Sequence, residues 1–229
     1  GWGSPASAAW FDNAWPYRIT ITVQSSQVAA DLTNYPVYTD LGHLPTNFWN
    51  NVRGANGEDL RITKSDGTTE VPREVIDFNN TSDSGGLYFL ADGTLSGSID
   101  TVFYIYYGNT TATEPSSGDA GYAQDVWGAE YVLVHHMQGA SASTLEDSTA
   151  NAQDVTASAG DPTIGAGSLM GNNLELDGTS DYITIPNDAS QDTGSELTIS
   201  QWFYTTTNQS QIGLVKHGPG TTAEYQYMT

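Results

Sequence analysis

The chain has 229 residues, with 27 acidic and 6 basic side chains, a formal net charge of −21 and no cysteine. Its length suits one large or two ordinary domains, and the absence of cysteine excludes a disulfide framework and thiol chemistry. Such a negative surface repels phosphate backbones and anionic lipids, which argues against nucleic-acid partners. The same charge keeps a protein soluble and is compatible with binding of cations or of a neutral glycan.

Residues 1–9 are predicted to be a signal remnant or a linker. Ala6-Ser7-Ala8 has the small-x-small pattern that precedes a signal-peptidase cut. We therefore expect an exported protein, in the periplasm, at the cell surface or outside the cell. No stretch approaches the roughly 18 to 20 apolar residues that a membrane helix needs, so no membrane insertion is expected in this segment.

Residues 10–109 contain several patterns that are typical of β-strands. Residues 17–24 alternate apolar and polar side chains, as in a half-buried antiparallel strand. In residues 101–109, apolar side chains point to both faces before Gly108-Asn109, which predicts a strand covered on both sides and ended by a turn. Related patterns predict strands at 35–41, within 59–78 (with a hairpin turn at Asp66-Gly67) and at 86–91, and one helical turn at 47–52.

Residues 110–128 are predicted to be a linker, because 110–125 is small, polar and unpatterned. Many short strands with Gly- and Pro-rich turns, before and after this segment, predict an all-β fold of two β-sandwich, jelly-roll-like domains. In the second domain, residues 129–229, the strands are predicted at 130–139, 173–178, 181–186 and 197–207.

Three sequence motifs carry a family resemblance: AWPYRITI, NGEDLRITKSDGTTEVPREVIDF and TVFYIYYGN. With them, residues 10–109 resemble a bacterial exported domain of unknown function, whose members carry a W-x-YR start, a G-x-DLR segment and a closing IYYGN. Members of that family also occur fused to MotA/TolQ/ExbB-type proton channels and often precede a lectin-like domain. The resemblance implies that TVFYIYYGN is the final core strand of its domain.

The second domain is similar to the first part of a laminin-G-like, concanavalin A-like jelly roll. The matching pieces are YVLVHHMQG, LEDSTANAQDVTA, NNLELDGTSDYITIP, LTISQWFYTT and IGLVKHG. Such jelly rolls usually need about twelve or more strands, and six or seven are visible here. We therefore expect the domain to be incomplete, either as a fragment of a longer protein or with a sheet completed by another segment or chain.

Calcium is the cofactor that the sequence suggests. Related laminin-G-like domains often carry a calcium ion at the rim of the sandwich, and the loop LEDSTANAQD offers oxygen ligands there. Calcium takes six to eight oxygens, so one loop does not suffice. Asp and Asn are also common turn residues, which leaves an ordinary turn as the alternative. The candidate ligands are Asp147, Asn151, Asp154, Asp177 and Asp181.

Glycan sites usually combine an exposed aromatic ring with polar side chains, although most aromatic residues in a sandwich belong to the core. The candidate ligand-binding residues are Trp49, Trp127, Trp202 and Tyr204.

Catalytic motifs are weak in this sequence. Glucanases of the concanavalin A-like fold carry three acids on one strand, whereas Glu175 and Asp177 have no third acid after them. We therefore expect a non-catalytic exported surface recognition or adhesion module that binds a glycan or a surface protein. Two alternatives stay open: a structural subunit of a surface layer or extracellular filament, and a polysaccharide-degrading enzyme or an accessory domain of one.

Overall fold

The computed structural model describes residues 9–168, 170–191, 196–205, 216–217 and 225–226. Their secondary structure is dominated by antiparallel β-strands, which confirms the predicted all-β fold class. In the first part of the chain the strands are β1 (Tyr17–Val23), β2 (Leu32–Asp40), β3 (Arg61–Lys64), β4 (Glu70–Val71), β5 (Arg73–Asn79), β6 (Ser84–Leu95) and β7 (Thr101–Tyr107), with helix α1 (Thr46–Asn51) between β2 and β3. Short 3-10 helices lie at Ser25–Gln27, Leu41–His43, Ala123–Val126, Ala142–Thr144 and Ala189–Gln191.

Strands β1 to β7 form a β-sandwich. One sheet has the order β1-β7-β3-β4 and the other the order β2-β6-β5. Alternate residues of each sheet point inward, so Ile62, Phe103 and Ile105 meet Leu87 and Phe89 in a common core. Each such fully buried side chain contributes about 1.5–3 kcal/mol relative to an exposed one. The strands predicted between residues 17 and 107 and the helical turn at 47–52 are all confirmed.

Strand β7 is covered on both faces, as its sequence predicts. Its inner face lies in the core, and its outer face carries Tyr104 and Tyr106. The ring of Trp10 packs edge-on against Tyr106 at 5.3 Å between ring centres, and the guanidinium carbon of Arg18 lies 4.4 Å from the ring centre of Tyr104. The N-terminal segment therefore covers the outer surface of β7.

The predicted hairpin turn at Asp66-Gly67 is also confirmed. The Asp66 carboxylate accepts hydrogen bonds from the hydroxyl of Thr69 at 2.5 Å and from the backbone amides of Thr68 and Thr69. These bonds, led by that of the Thr69 hydroxyl, lower the pKa of Asp66 to about 2. The turn returns the chain along β4, which places Glu70 beside Arg61 of β3.

Residues 129–229 form only short sheets in the described part of the chain. Their strands are β8 (Ala157–Ala159), β9 (Thr163–Ser168), β10 (Gly171–Glu175), β11 (Tyr182–Thr184), β12 (Lys216–His217) and β13 (Tyr225–Gln226). They pair antiparallel as β9 with β10, β8 with β11 and β12 with β13. The strands predicted at 173–178 and 181–186 thus correspond to β10 and β11, whereas a jelly roll for this domain stays a prediction.

The strand predicted at 130–139 is wrong. The segment pairs with no strand in the described structure, because neighbouring groups take its hydrogen bonds: the amide of Val134 donates to the Asp147 side chain, and its carbonyl accepts from the amide of Ser148. Residues 197–205 are likewise not in a strand, and residues 206–207 of that prediction lie outside the described residues. Within the described ranges, no helix combines the length and apolar character needed to cross a membrane.

Candidate functional site

The three motifs of the first domain meet at one end of the β1-β7-β3-β4 sheet, through residues that are more than forty positions apart in sequence. The indole N–H of Trp15 donates to the backbone carbonyl of Asp59 at 2.6 Å. The amide of Gly108 donates to the Asp59 carboxylate at 2.6 Å. Gly108 has φ +100°, and a Cβ there would lie 2.6 Å from the ring of Tyr17, so the turn requires glycine.

Asp59 is the central residue of this junction and is 1% exposed. One carboxylate oxygen accepts from the amides of Gly108 and Arg53. The other has no hydrogen-bond partner among the described residues. Burial raises the pKa of Asp59 despite the bonds that favour its charged form. Asp59 therefore fixes the end of β7 against the start of β3.

A cleft of about 280 Å³ opens beside this junction. Its lining combines two aromatic rings, a guanidinium and three carboxylates. The lining residues are Phe11, Trp15, Arg61, Glu70, Thr113, Glu114, Pro115, Asp119 and Ala120. Its volume lies just below the range of about 300–1,000 Å³ that is usual for small-molecule sites, so it has room for a small ligand only.

Arg61 forms the floor of the cleft. Its guanidinium lies 5.3 Å from the ring centre of Trp15, and its Nε is 3.2 Å from the Glu70 carboxylate. Burial, together with the neighbouring charge of Arg73, lowers the pKa of Arg61. Burial also raises the pKa of Glu70, although Arg61 and Arg73 oppose that shift.

One wall of the cleft is the segment 113–121, which we call the strap. Arg73, fully buried, makes a bidentate pair with Glu114 at 2.5 and 2.9 Å. Arg61 donates to the carbonyl of Thr113 at 2.7 Å. A Cβ on Gly121 would lie 2.5 Å from Glu70, so glycine permits this close approach. The predicted linker 110–128 is therefore bound to the first sandwich along much of its length.

A second polar cluster surrounds Glu74 on the outer face of the β2-β6-β5 sheet. The Glu74 carboxylate accepts from the indole of Trp127 at 2.7 Å and the hydroxyl of Ser148 at 2.5 Å, and lies 3.1 Å from Nε2 of His136. Since a carboxylate only accepts, Nε2 carries the hydrogen in this pair. The ring of Tyr88 stacks on His136 at 4.8 Å, and burial raises the pKa of Tyr88 to about 12. This cluster holds residues 127–148 against the first sandwich.

The structure separates the four aromatic residues predicted to bind a ligand. Trp49 is 7% exposed and packs against Phe48 and Phe78 in the core, so its predicted role is wrong: it presents no free face to a sugar. Trp127 is half-buried and bonded to Glu74. Trp202 and Tyr204 are 78% and 90% exposed. No ring contact joins these four residues within the described ranges.

The predicted calcium ligands lie in two turns. The buried carboxylate of Asp147 accepts four hydrogen bonds, from the amides of Val134, Thr149 and Gln153 and from the Thr149 hydroxyl, while Asp154 accepts from the amide of Asp147. Asn151 donates to the carbonyl of Val132. A cation at Asp147 would compete with these donors, and within the described residues no group of three acidic or histidine side chains is placed to hold a metal ion. Calcium binding stays a prediction.

The other two candidate ligands, Asp177 and Asp181, organise the turn after β10. Asp177 accepts from the amides of Thr179 and Ser180, and these bonds lower its pKa. Asp181 accepts from the amides of Asp161 and Asp177. Glu175 lies exposed near Thr163 and Asn173 rather than beside a second acid. This arrangement is that of a surface turn.

Comparison of the chain with protein-family models, with curated proteins and with solved structures found no match.

Proposed function

We propose that this protein is a non-catalytic, exported recognition module that binds a glycan in the cleft between the strap and the outer edge of the first sandwich. The observation that carries the proposal is the lining of the cleft. The rings of Phe11 and Trp15 share the lining with three carboxylates and the guanidinium of Arg61. Sugar recognition combines aromatic faces for the C–H groups with polar groups for the hydroxyls.

The charges around the cleft favour a ligand without negative charge. Arg61 and Arg73 are already paired with Glu70 and Glu114, which leaves little attraction for an anion. The net charge of −21 adds a long-range repulsion of anionic ligands. The small-x-small pattern of Ala6-Ser7-Ala8 and the resemblance of residues 10–109 to an exported bacterial domain support a location in the periplasm, at the cell surface or outside the cell.

The test is a titration of the full chain with a panel of short neutral and amino-sugar oligosaccharides, measured by calorimetry. Hydrogen exchange then locates the ligand, and we expect protection of residues 11–15 and 113–121. Phe11→Ala should weaken binding about tenfold, since an aromatic contact contributes on the order of 1 kcal/mol beyond its buried area. The matched control is Tyr35→Ala, an exposed ring on the other sheet, which should bind normally.

Failure of every saccharide to bind would contradict the glycan proposal, as would protection confined to residues outside the cleft. Product analysis of the same incubations tests the enzymatic alternative, because a recognition module leaves the oligosaccharides intact.

A second candidate function is a structural subunit of a surface layer or filament. The run Trp202-Phe203-Tyr204 is exposed at all three positions, and large exposed apolar runs mark interaction surfaces. Sedimentation velocity over a range of concentrations tests it: a structural subunit should form large assemblies that Phe203→Ser weakens. A monomer at all concentrations would contradict this candidate and leave the glycan proposal unaffected.

A further inference from the structure

Around the cleft, most N–H donors are already bonded within the protein, whereas many carboxylate acceptor sites are not. This difference determines which chemical groups a ligand must offer. A guanidinium has five N–H donors and no acceptor, whereas a carboxylate has two oxygens with about four acceptor sites. Arg61 in the cleft lining and the buried Arg73 next to it use most of their N–H groups in hydrogen bonds within the protein. The three carboxylates use a smaller share of their acceptor sites.

Arg61 donates through Nη1 to the carbonyls of Glu58 and Leu60 and through Nη2 to the carbonyl of Thr113, and its Nε forms an ion pair with Glu70. Arg73 donates to the same two carbonyls and twice to Glu114. Arg61 thus uses three of its five N–H groups in hydrogen bonds within the protein, and Arg73 uses four.

The carboxylates keep most of their acceptor sites. Glu70 has one partner, Nε of Arg61, and Glu114 has the two N–H groups of Arg73. Asp119 accepts the amide and the hydroxyl of Ser116 through the same oxygen, and its second oxygen has no partner among the described residues. Glu114 is 47% exposed at its side chain, so its remaining acceptor sites are accessible.

The charges have the same imbalance. The cleft lining has three carboxylates and one guanidinium, and the buried Arg73 pairs with one of those carboxylates, Glu114, which leaves one negative charge in excess at the cleft. Burial raises the pKa of Glu70 even with Arg61 beside it, so this carboxylate gains from further positive charge nearby. A ligand that fits must supply hydrogen-bond donors, and a positive charge on it is favourable.

We propose that the cleft selects a saccharide that carries a free, protonated amine, with the ammonium group at Asp119 and Glu70 and the sugar ring against Phe11 and Trp15. The inference rests on the proposed function, because it names the class of glycan that the same cleft takes. An ammonium group offers three donors and no acceptor. N-acetylation removes the charge and replaces it with a carbonyl acceptor, for which the cleft has few donors.

The experiment compares three short oligosaccharides of matched length on the full chain: one with free amines, its N-acetylated form and a neutral form without nitrogen. At a pH where the amine is protonated, we expect at least about tenfold tighter binding of the free amine. The preference should shrink between about 0.05 and 0.5 M salt, as screening weakens exposed charge pairs.

Asp119→Asn tests the assigned contact, since Asp119 is exposed and its loss should not disturb the core. It should remove most of the amine preference and leave binding of the neutral oligosaccharide within about twofold. Asp125→Asn removes an equal charge from an exposed residue outside the cleft lining and should keep the preference.

The outcomes separate the two proposals. Equal binding of the three oligosaccharides overturns the amine inference while the glycan-binding function stands. No binding of any saccharide overturns both. A lysine-containing peptide that binds at the cleft more tightly than the amino oligosaccharide would identify a protein ligand and overturn the saccharide assignment.

Discussion

Glu74 provides the most direct test of how residues 127–148 are held on the first sandwich, through the substitution Glu74→Ala. The carboxylate is nearly buried and accepts hydrogen bonds from the indole of Trp127, the hydroxyl of Ser148 and the imidazole of His136. Hydrogen bonds to a charged group contribute about 1.5–3 kcal/mol each. Three such bonds would set an upper limit of about 9 kcal/mol.

The expected loss is smaller than that limit, because Trp127 and Ser148 are only half-buried and regain water when the segment moves. Leaving a buried hydrogen-bonding group without its partner costs about 1–3 kcal/mol, and with three donors affected we expect the free energy of unfolding to fall by about 3–5 kcal/mol. Glu74→Gln keeps one acceptor oxygen and should lose less.

Urea denaturation followed by tryptophan fluorescence measures the change, and hydrogen exchange reports where it occurs. Protection should fall first in residues 127–148. The matched control is Glu146→Ala, an exposed acid in the same part of the chain, which should change stability by less than about 0.5 kcal/mol. A loss for Glu74→Ala below about 1 kcal/mol would refute the reasoning.

Three further predictions concern Asp147, His135 and salt. Asp147→Ala removes an acceptor of four hydrogen bonds and should lower the free energy of unfolding by about 2–4 kcal/mol in calcium and in EDTA alike; a loss seen only with calcium would instead establish the metal site. Burial lowers the pKa of His135, so this side chain binds a proton more readily in the unfolded chain than in the folded one. The free energy of unfolding should therefore fall as the pH drops through about 6.5. His135→Gln should weaken the dependence of the melting temperature on pH, and an unchanged dependence would contradict this role of His135. Because the net charge is −21, the melting temperature should rise with sodium chloride up to about 0.5 M, and a decrease over that range would contradict a dominant role of self-repulsion.

The first sandwich follows from local sequence patterns. Residues 17–24 alternate because one face of β1 is buried, and Asp66-Gly67 supplies both the side-chain acceptor and the positive φ of its turn. The same rules fail at 130–139, where His136 stacks on Tyr88 and bonds to Glu74 on the face of an existing sheet, and the segment joins no sheet in the described structure. The spacing of apolar residues indicates which side chains are buried, but it does not indicate which part of the protein covers them.

The cleft could not be predicted from spacing. Arg61 and Glu70 lie in the predicted hairpin, but Glu114 lies in the strap, more than forty positions further along the chain. Each of the three resembles an ordinary charged surface residue when taken alone. The available signal was the scarcity of bases: the chain has six, and Arg61 and Arg73 stand twelve positions apart in an acidic sequence. A cation that is rare and close to apolar strand residues needs carboxylate partners, and those partners line the cleft.

The strap and the Glu74 cluster also define where the molecule can be divided. A fragment that ends at Asn109 would leave the guanidinium of Arg73 without Glu114, and would uncover Glu74 and Tyr88 on a face that is now packed. A fragment that extends through Val155 keeps these contacts. The unit that can be exchanged between proteins therefore extends past residues 110–128, and recombination within that segment would break these contacts.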